Sequence, residues 1–215
     1  MSSNAPSSPL LHLPRELRYE IYDVLCRKEP KSYPFRQPPI SSIDQRAPPT
    51  ALYLTCHYIR EELQAYFYGK VTLRLVAQDV RRPKREDIDL ASLTAIRRAE
   101  KVELRLQWHI TPERAELDMS KWPYSMIGWL AEQINLLLGE ARNLELITLS
   151  VMDTSEGAEW ASKRRMLAPL GKMAGRVRFR LGEVVAVDEE EAGLKEQLAV
   201  YVRELNQAEL SASRS

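Results

Sequence analysis

With 215 residues the chain has room for one sizeable domain, or for a small domain fused to a modest one. Apolar residues make up 44% and charged residues 28%, the balance of a soluble globular protein able to bury a real core. A formal charge of +1 excludes a global field that would draw the chain to nucleic acid or to a membrane surface. Cys26 and Cys56 show no metal-type pairing around them and read as buried thiols of a reducing compartment. The N-terminus, MSSNAPSSPLL, lacks a basic region followed by an apolar run and does not read as a signal peptide. Nor is there a run of about 18 apolar residues able to span a bilayer, so no membrane contact is expected and the expected location is cytoplasmic and/or nuclear.

Residues 1–9 are rich in Ser, Pro and Asn and are expected to be disordered, as is the tail at 210–215. Pro14 suits the first turn of a helix, where its missing N–H has no partner to lose. Leu13, Leu17, Ile21, Val24 and Leu25 then recur at helical spacing as one apolar stripe. Residues 28–49 carry six prolines, a composition that sustains neither a helix nor a central strand, and are expected to form a loop. Structure resumes at Thr50, a candidate N-cap. Leu52, Cys56, Ile59, Leu63 and Tyr66 follow at steps of four and three and predict one amphipathic helix, with Gly69 where a C-terminal glycine belongs. At VTLRL the period switches from 3.6 to 2. Beyond it LASLTAIRRA reads as a helix, KVELRLQW as a strand, SMIGWLAEQINLLLGEA as a helix and LELITLSV as a strand. EWASKRRMLAPLGKMA reads as a helix interrupted near Pro169, RVRFRLGEVV as a strand, and the last helix starts near Asp188.

Strands separated by helices predict parallel pairing through right-handed crossovers. A parallel sheet covered on both faces has continuously apolar strands. Here Val102, Leu104, Leu106 and Trp108 alternate with Glu103, Arg105 and Gln107, and Val177, Phe179 and Leu181 alternate with Arg176, Arg178 and Arg180. Leu146, Ile147 and Leu149 break the alternation, which predicts a central or bulged strand. The expected fold is therefore α+β or α/β: a helical region at 10–70, then a sheet of about four strands alternating with helices over 71–209. Helices are expected mainly on one face, leaving Arg74, Arg105, Arg178 and Arg180 on the open one as a possible target-binding surface.

The sequence offers little chemistry. His12, His57 and His109 have no partner at metal-ligand spacing. His57 directly follows Cys56, and on a helix those side chains diverge by about 100°, too far for a nucleophile–base pair. Glycine-rich phosphate loops and the GxSxG elbow are absent. No enzyme activity, cofactor or metal is expected. The basic clusters at 81–86, 97–98 and 163–165 read as solvated loops and helix faces, and Trp108, Trp122, Trp129 and Trp160 as core contacts.

The stretch LLHLPRELRYEIYDVL, residues 10–25, resembles the start of an F-box, whose first helix follows Leu-Pro-x-Glu-Leu/Ile with an apolar residue four positions on. Together with ALYLTCHYIREELQAYFYGKVTLRL it is similar to a group of fungal F-box-like proteins. In that group an LPxELRxxIY helix is followed, after a variable loop, by a TCxxIxxE…FYG helix and a strand. Matching residues are Leu13, Pro14, Glu16, Leu17, Arg18, Ile21 and Tyr22, then Thr55, Cys56, Ile59, Glu62, Phe67, Tyr68 and Gly69, and the resemblance covers about residues 10–76. The resemblance implies a Skp-type adaptor of a cullin–RING ubiquitin ligase as partner. Leu13, Pro14, Leu17, Ile21 and Leu25 would enter the adaptor's groove, and the rest of the chain would recruit an unknown protein target. The chain departs from the family where the Pro-rich loop separates the first two helices, and where CHYIREE replaces the later Trp of many F-boxes. Two other readings stand beside this one. The same stripe could pack against Cys56, Ile59 and Leu63 as the core of a stand-alone interaction domain that does not bind the adaptor. Less expected is a nucleic-acid-associated protein using the arginine face.

Overall fold

The computed structural model describes residues 9–26, 39–77, 86, 88–108, 126–154, 159–186 and 191–212. Among them a 3-10 turn at Pro9–His12 leads into α1 (Arg15–Leu25), followed by β1 (Ile40–Ile43), α2 (Thr50–Tyr53), α3 (His57–Lys70) and β2 (Thr72–Val76). Then α4 (Leu90–Arg98), β3 (Lys101–Trp108), α5 (Met126–Glu140), β4 (Leu146–Asp153), α6 (Trp160–Leu167), β5 (Arg178–Ala186) and α7 (Glu191–Ala212) alternate. This is an α/β fold with a mixed five-stranded sheet in the order β1-β2-β3-β4-β5. Strands β2 to β5 are parallel, and β1 joins the edge of β2 in the antiparallel sense.

In β2, β3 and β4 the residues that enter the main core share one parity within each strand: Leu73 and Leu75, then Val102, Leu104, Leu106 and Trp108, then Ile147, Leu149 and Val151. Alternate residues of a strand point to opposite faces, so the core lies on one face of the sheet. Against it pack Ala95 and Ile96 of α4, Leu130, Ile134 and Leu137 of α5, Met166 and Leu167 of α6, and Leu194, Leu198 and Val202 of α7. The alternation in β3 has this cause. In β4, the strand whose pattern breaks, Ile147 to Val151 are all buried, and the strand lies between β3 and β5 with an irregularity in its pairing between Leu149 and Val151. Gly182 of β5 sits beside that irregularity, where a Cβ would overlap Ser150 Oγ and Thr148 Cγ2. Pro169 ends α6 by diverting the chain into a 3-10 turn at Ala168–Met173.

Four expectations need correction. The proline-rich span contains β1, which is possible because an edge strand needs partners on one side only; it is four residues long and bulged at Ser41, whose Oγ donates to Arg74 O at 2.9 Å. The single helix expected from Thr50 is two, because Thr55 Oγ1 donates to Leu52 O at 2.8 Å and closes α2 before Cys56 opens α3. Gly69 is not a C-terminal cap: α3 runs through it to Lys70, and a Cβ there would stand 3.1 Å from Glu100 Oε1. The expected tail at 210–215 is helical as far as Ala212. Since β1 pairs with β2, and Cys26 and Phe67 join the main core, the helical region and the sheet share one interior.

Candidate functional site

Helix α1 is held by polar residues. Arg18 Nε and Nη2 donate to Glu62 Oε1 and Oε2 of α3 at 2.7 and 2.6 Å, and its Nη1 donates to Leu13 O at 2.5 Å. Tyr22, fully buried, donates its hydroxyl to Glu62 Oε1 at 3.0 Å and packs its ring edge-on against Tyr66. The bidentate geometry fixes the angle of α1 on α3 as well as its register. Arg18 donation holds the Glu62 carboxyl below its ordinary value of 4.5. Nearer the end of α1, Asp23 accepts from Lys70 Nζ at 2.6 Å and from Tyr66 Oη, and these two bonds depress its carboxyl. Burial, then the bond to Asp23, pushes the Tyr66 phenol up to about 12. Tyr22, Leu63 and Tyr66, with Leu10, Tyr19, Leu52 and Tyr53 around them, form a satellite core.

The apolar stripe of α1 is not what packs. At 3.6 residues per turn, Leu17, Ile21 and Val24 fall on an arc about 130° from the one carrying Arg18, Tyr22 and Cys26. Leu17 is 44% and Val24 60% exposed, Pro14 is exposed, and Leu13, Ile21 and Leu25 are half-buried. Leu63 instead meets Tyr22 and Tyr66. The residues that carry the F-box resemblance thus divide into two sets. Arg18, Tyr22 and Glu62 join the two motif segments to each other, whereas Pro14 and Leu17 are exposed and Leu13 and Ile21 half-buried.

On the open face of the sheet the register brings Arg74, Glu103, Thr148 and Arg180 into one row across four strands. Glu103 is nine-tenths buried at its centre. It accepts from Arg74 Nε at 2.6 Å, from Arg105 Nε at 2.8 Å and from Ser150 Oγ at 2.7 Å. Burial alone would raise its carboxyl, yet the bonds from Ser150, Arg74 and Arg105 together hold it below the ordinary 4.5. Arg105 Nη2 also stands 3.5 Å from Glu183. Arg178 and Arg180, both exposed, have no carboxylate within ion-pair reach among the described residues; Arg180 Nη2 donates to Thr148 Oγ1 at 3.2 Å. So the four arginines share a face, but two of them neutralise one buried acid. Further along this face Met152 and Val185, opposite each other in the register, are 47% and 39% exposed. Beside them lies a shallow depression of about 50 Å³ lined by Arg105, Gln107, Ser150, Met152, Glu183 and Val185.

Among the described residues, the basic side chains at 97–98 and 163–164 are engaged by separate partners. Arg97 pairs with Glu140 at 2.7 Å, Arg98 bonds Gln64, and Arg164 pairs with Glu204 at 2.8 Å. Lys163 is buried against Asp153 at 2.6 Å. Residues 81–85, His109 and Trp122 lie outside the described residues. Trp108 is fully buried, and Trp129 and Trp160 pack on the main core. A wider cleft of about 330 Å³ between α6 and α7 is lined by Trp160, Arg164, Val200 and Tyr201 without a nucleophile–base pair. Among the described residues no group of three His, Cys, Asp or Glu could hold a metal, and no helix is long and apolar enough to cross a membrane. Both cysteines are free thiols; Cys26 is buried and Cys56 half-buried.

Sequence reasoning missed Arg18–Glu62 and Glu103. The first is a charge pair 44 positions apart in two unconnected helices, and the second is a hub whose donors come from three strands. The signal for the first was present in the motif itself, which carries Arg18, Tyr22 and Glu62 together. No family model, curated protein or solved structure matches the chain.

Proposed function

We propose that this chain is a non-enzymatic interaction protein of the F-box type, in which α1 docks into the groove of a Skp-type adaptor and the sheet domain holds a protein target for a cullin–RING ubiquitin ligase. One observation carries the reading: α1 is anchored through Arg18 and Tyr22, which leaves Leu17 and Val24 of its apolar stripe exposed and Ile21 half-exposed between them. Such a stripe, read at i, i+4 and i+7, is the element that helix-in-groove recognition uses. A preset orientation lowers the ordering cost of binding. The stand-alone reading, in which the helix belongs to the chain's own core and binds no adaptor, draws on the burial of Tyr22 and Cys26 and is the outcome if the adaptor is not retained.

The test is recovery of a purified Skp-type adaptor on immobilised chain, wild type against Leu17→Asp, with circular dichroism on both. Position 17 is the third residue of α1, where an acid favours the helix dipole, so the variant keeps its helix. Adaptor bound by wild type and lost from folded Leu17→Asp supports the proposal. Failure of the wild type to retain adaptor refutes it.

A further inference from the structure

The open face differs from end to end, and the difference selects a ligand. At the N-terminal end of β5, Arg178 and Arg180 project without carboxylate partners among the described residues. In the middle, Arg74 and Arg105 are engaged by Glu103, and Glu183 adds a second acid. At the C-terminal ends of β4 and β5, Met152 and Val185 offer exposed apolar surface beside the depression. A nucleic-acid strand would meet two carboxylates where a phosphate backbone needs uninterrupted cations. A peptide does not carry that uniform charge.

We propose, building on the reading of the sheet domain as the target-holding part, that this face takes an extended acidic peptide. One apolar side chain seats between Met152 and Val185, and carboxylates bind Arg180 and Arg178. The register sets the spacing. Arg180 pairs with Thr148 and Arg178 with Leu146, four and six residues before Met152 on β4, which at about 3.3 Å per residue places the two arginines about 13 and 20 Å from the apolar end. An extended peptide therefore needs acids about four and six positions from its apolar residue. Alternation of side chains keeps these on one side of the peptide, and an acid in between is disfavoured by Glu183.

The experiment is fluorescence anisotropy of the full chain with a labelled Gly/Ser peptide bearing one leucine and two aspartates at that spacing, in either order. The controls are the same peptide with lysines for aspartates and a labelled single-stranded oligonucleotide. The aspartate peptide binds and the lysine peptide does not. Arg178→Glu with Arg180→Glu weakens binding by about tenfold, and raised salt weakens it too. Met152→Lys weakens binding with the protein still folded. Leu17→Asp leaves peptide binding unchanged, so loss of adaptor binding and loss of peptide binding are read separately. Absence of binding by the aspartate peptide, equal binding of the lysine peptide, indifference to the double arginine reversal, or tighter binding of the oligonucleotide each overturns the proposal.

Discussion

Replacing Glu103 by glutamine keeps the size of the side chain and removes its charge. The carboxylate accepts three bonds, from Arg74, Arg105 and Ser150. A glutamine oxygen still serves Ser150 and one arginine, but its amide nitrogen faces the other arginine donor. One charge-assisted bond is lost outright and the second is weakened, at about 1.5–3 kcal/mol for a full one. Arg74 and Arg105 keep 23% and 37% of their side chains in water, which lets solvent replace part of the loss. The net cost at neutral pH is about 2 kcal/mol, a fall of about 0.7–1 M in the urea midpoint for a slope of 2–3 kcal/mol/M. Its pH dependence follows from the depressed carboxyl of folded Glu103. A group whose folded value lies below its unfolded one stabilises fully above the unfolded value, and loses that contribution as pH falls through the folded value. The gap between wild type and Glu103→Gln is therefore full at pH 7 and closes as the medium is acidified below about pH 4.5. Glu62 and Asp23, also depressed, are present in both proteins and cancel from the difference. A gap below about 0.5 kcal/mol at pH 7, or one that persists unchanged in acid, refutes the hub.

Two other perturbations address the interior. Lys163→Met removes the buried ion pair to Asp153 and is expected to lower stability in urea denaturation by up to about 3 kcal/mol. The Cys26 thiol, pushed up to about 11 chiefly by burial, is expected to resist alkylation at pH 8 in the folded chain and to react once the chain is unfolded, as read by mass spectrometry of the modified peptides.

The parts legible in the sequence were those governed by periodicity within one segment. Alternation in KVELRLQW gave β3 its inward and outward faces, Pro169 marked the end of α6, and the mixed pattern at Leu146–Leu149 marked β4 as central or bulged, and it is an interior strand with irregular pairing to β5. Contacts between segments were not legible. β1 is four residues, ISSI, too short for an alternation signal, and its pairing is set by β2. On α1 the apolar stripe was plain, but a stripe does not reveal which arc of the helix faces inward. Polar Arg18 lies inside because Glu62 meets it there, and Leu17 lies outside because Tyr22 occupies the interface with α3. Glu103 looks like a solvent-face residue along its own strand, and becomes buried only when Arg74 and Ser150 are brought alongside.

The central claim is that α1 uses one face to hold itself and the other to dock. Calorimetric titration of a Skp-type adaptor into wild-type chain and into Leu17→Asp, with the thermal midpoint of each recorded beforehand, tests both halves together. The account predicts near-equal midpoints, since position 17 is 44% exposed, with saturable binding by wild type and none by the variant. A large fall in the midpoint of Leu17→Asp, or a wild-type chain that gives no binding heat, contradicts it.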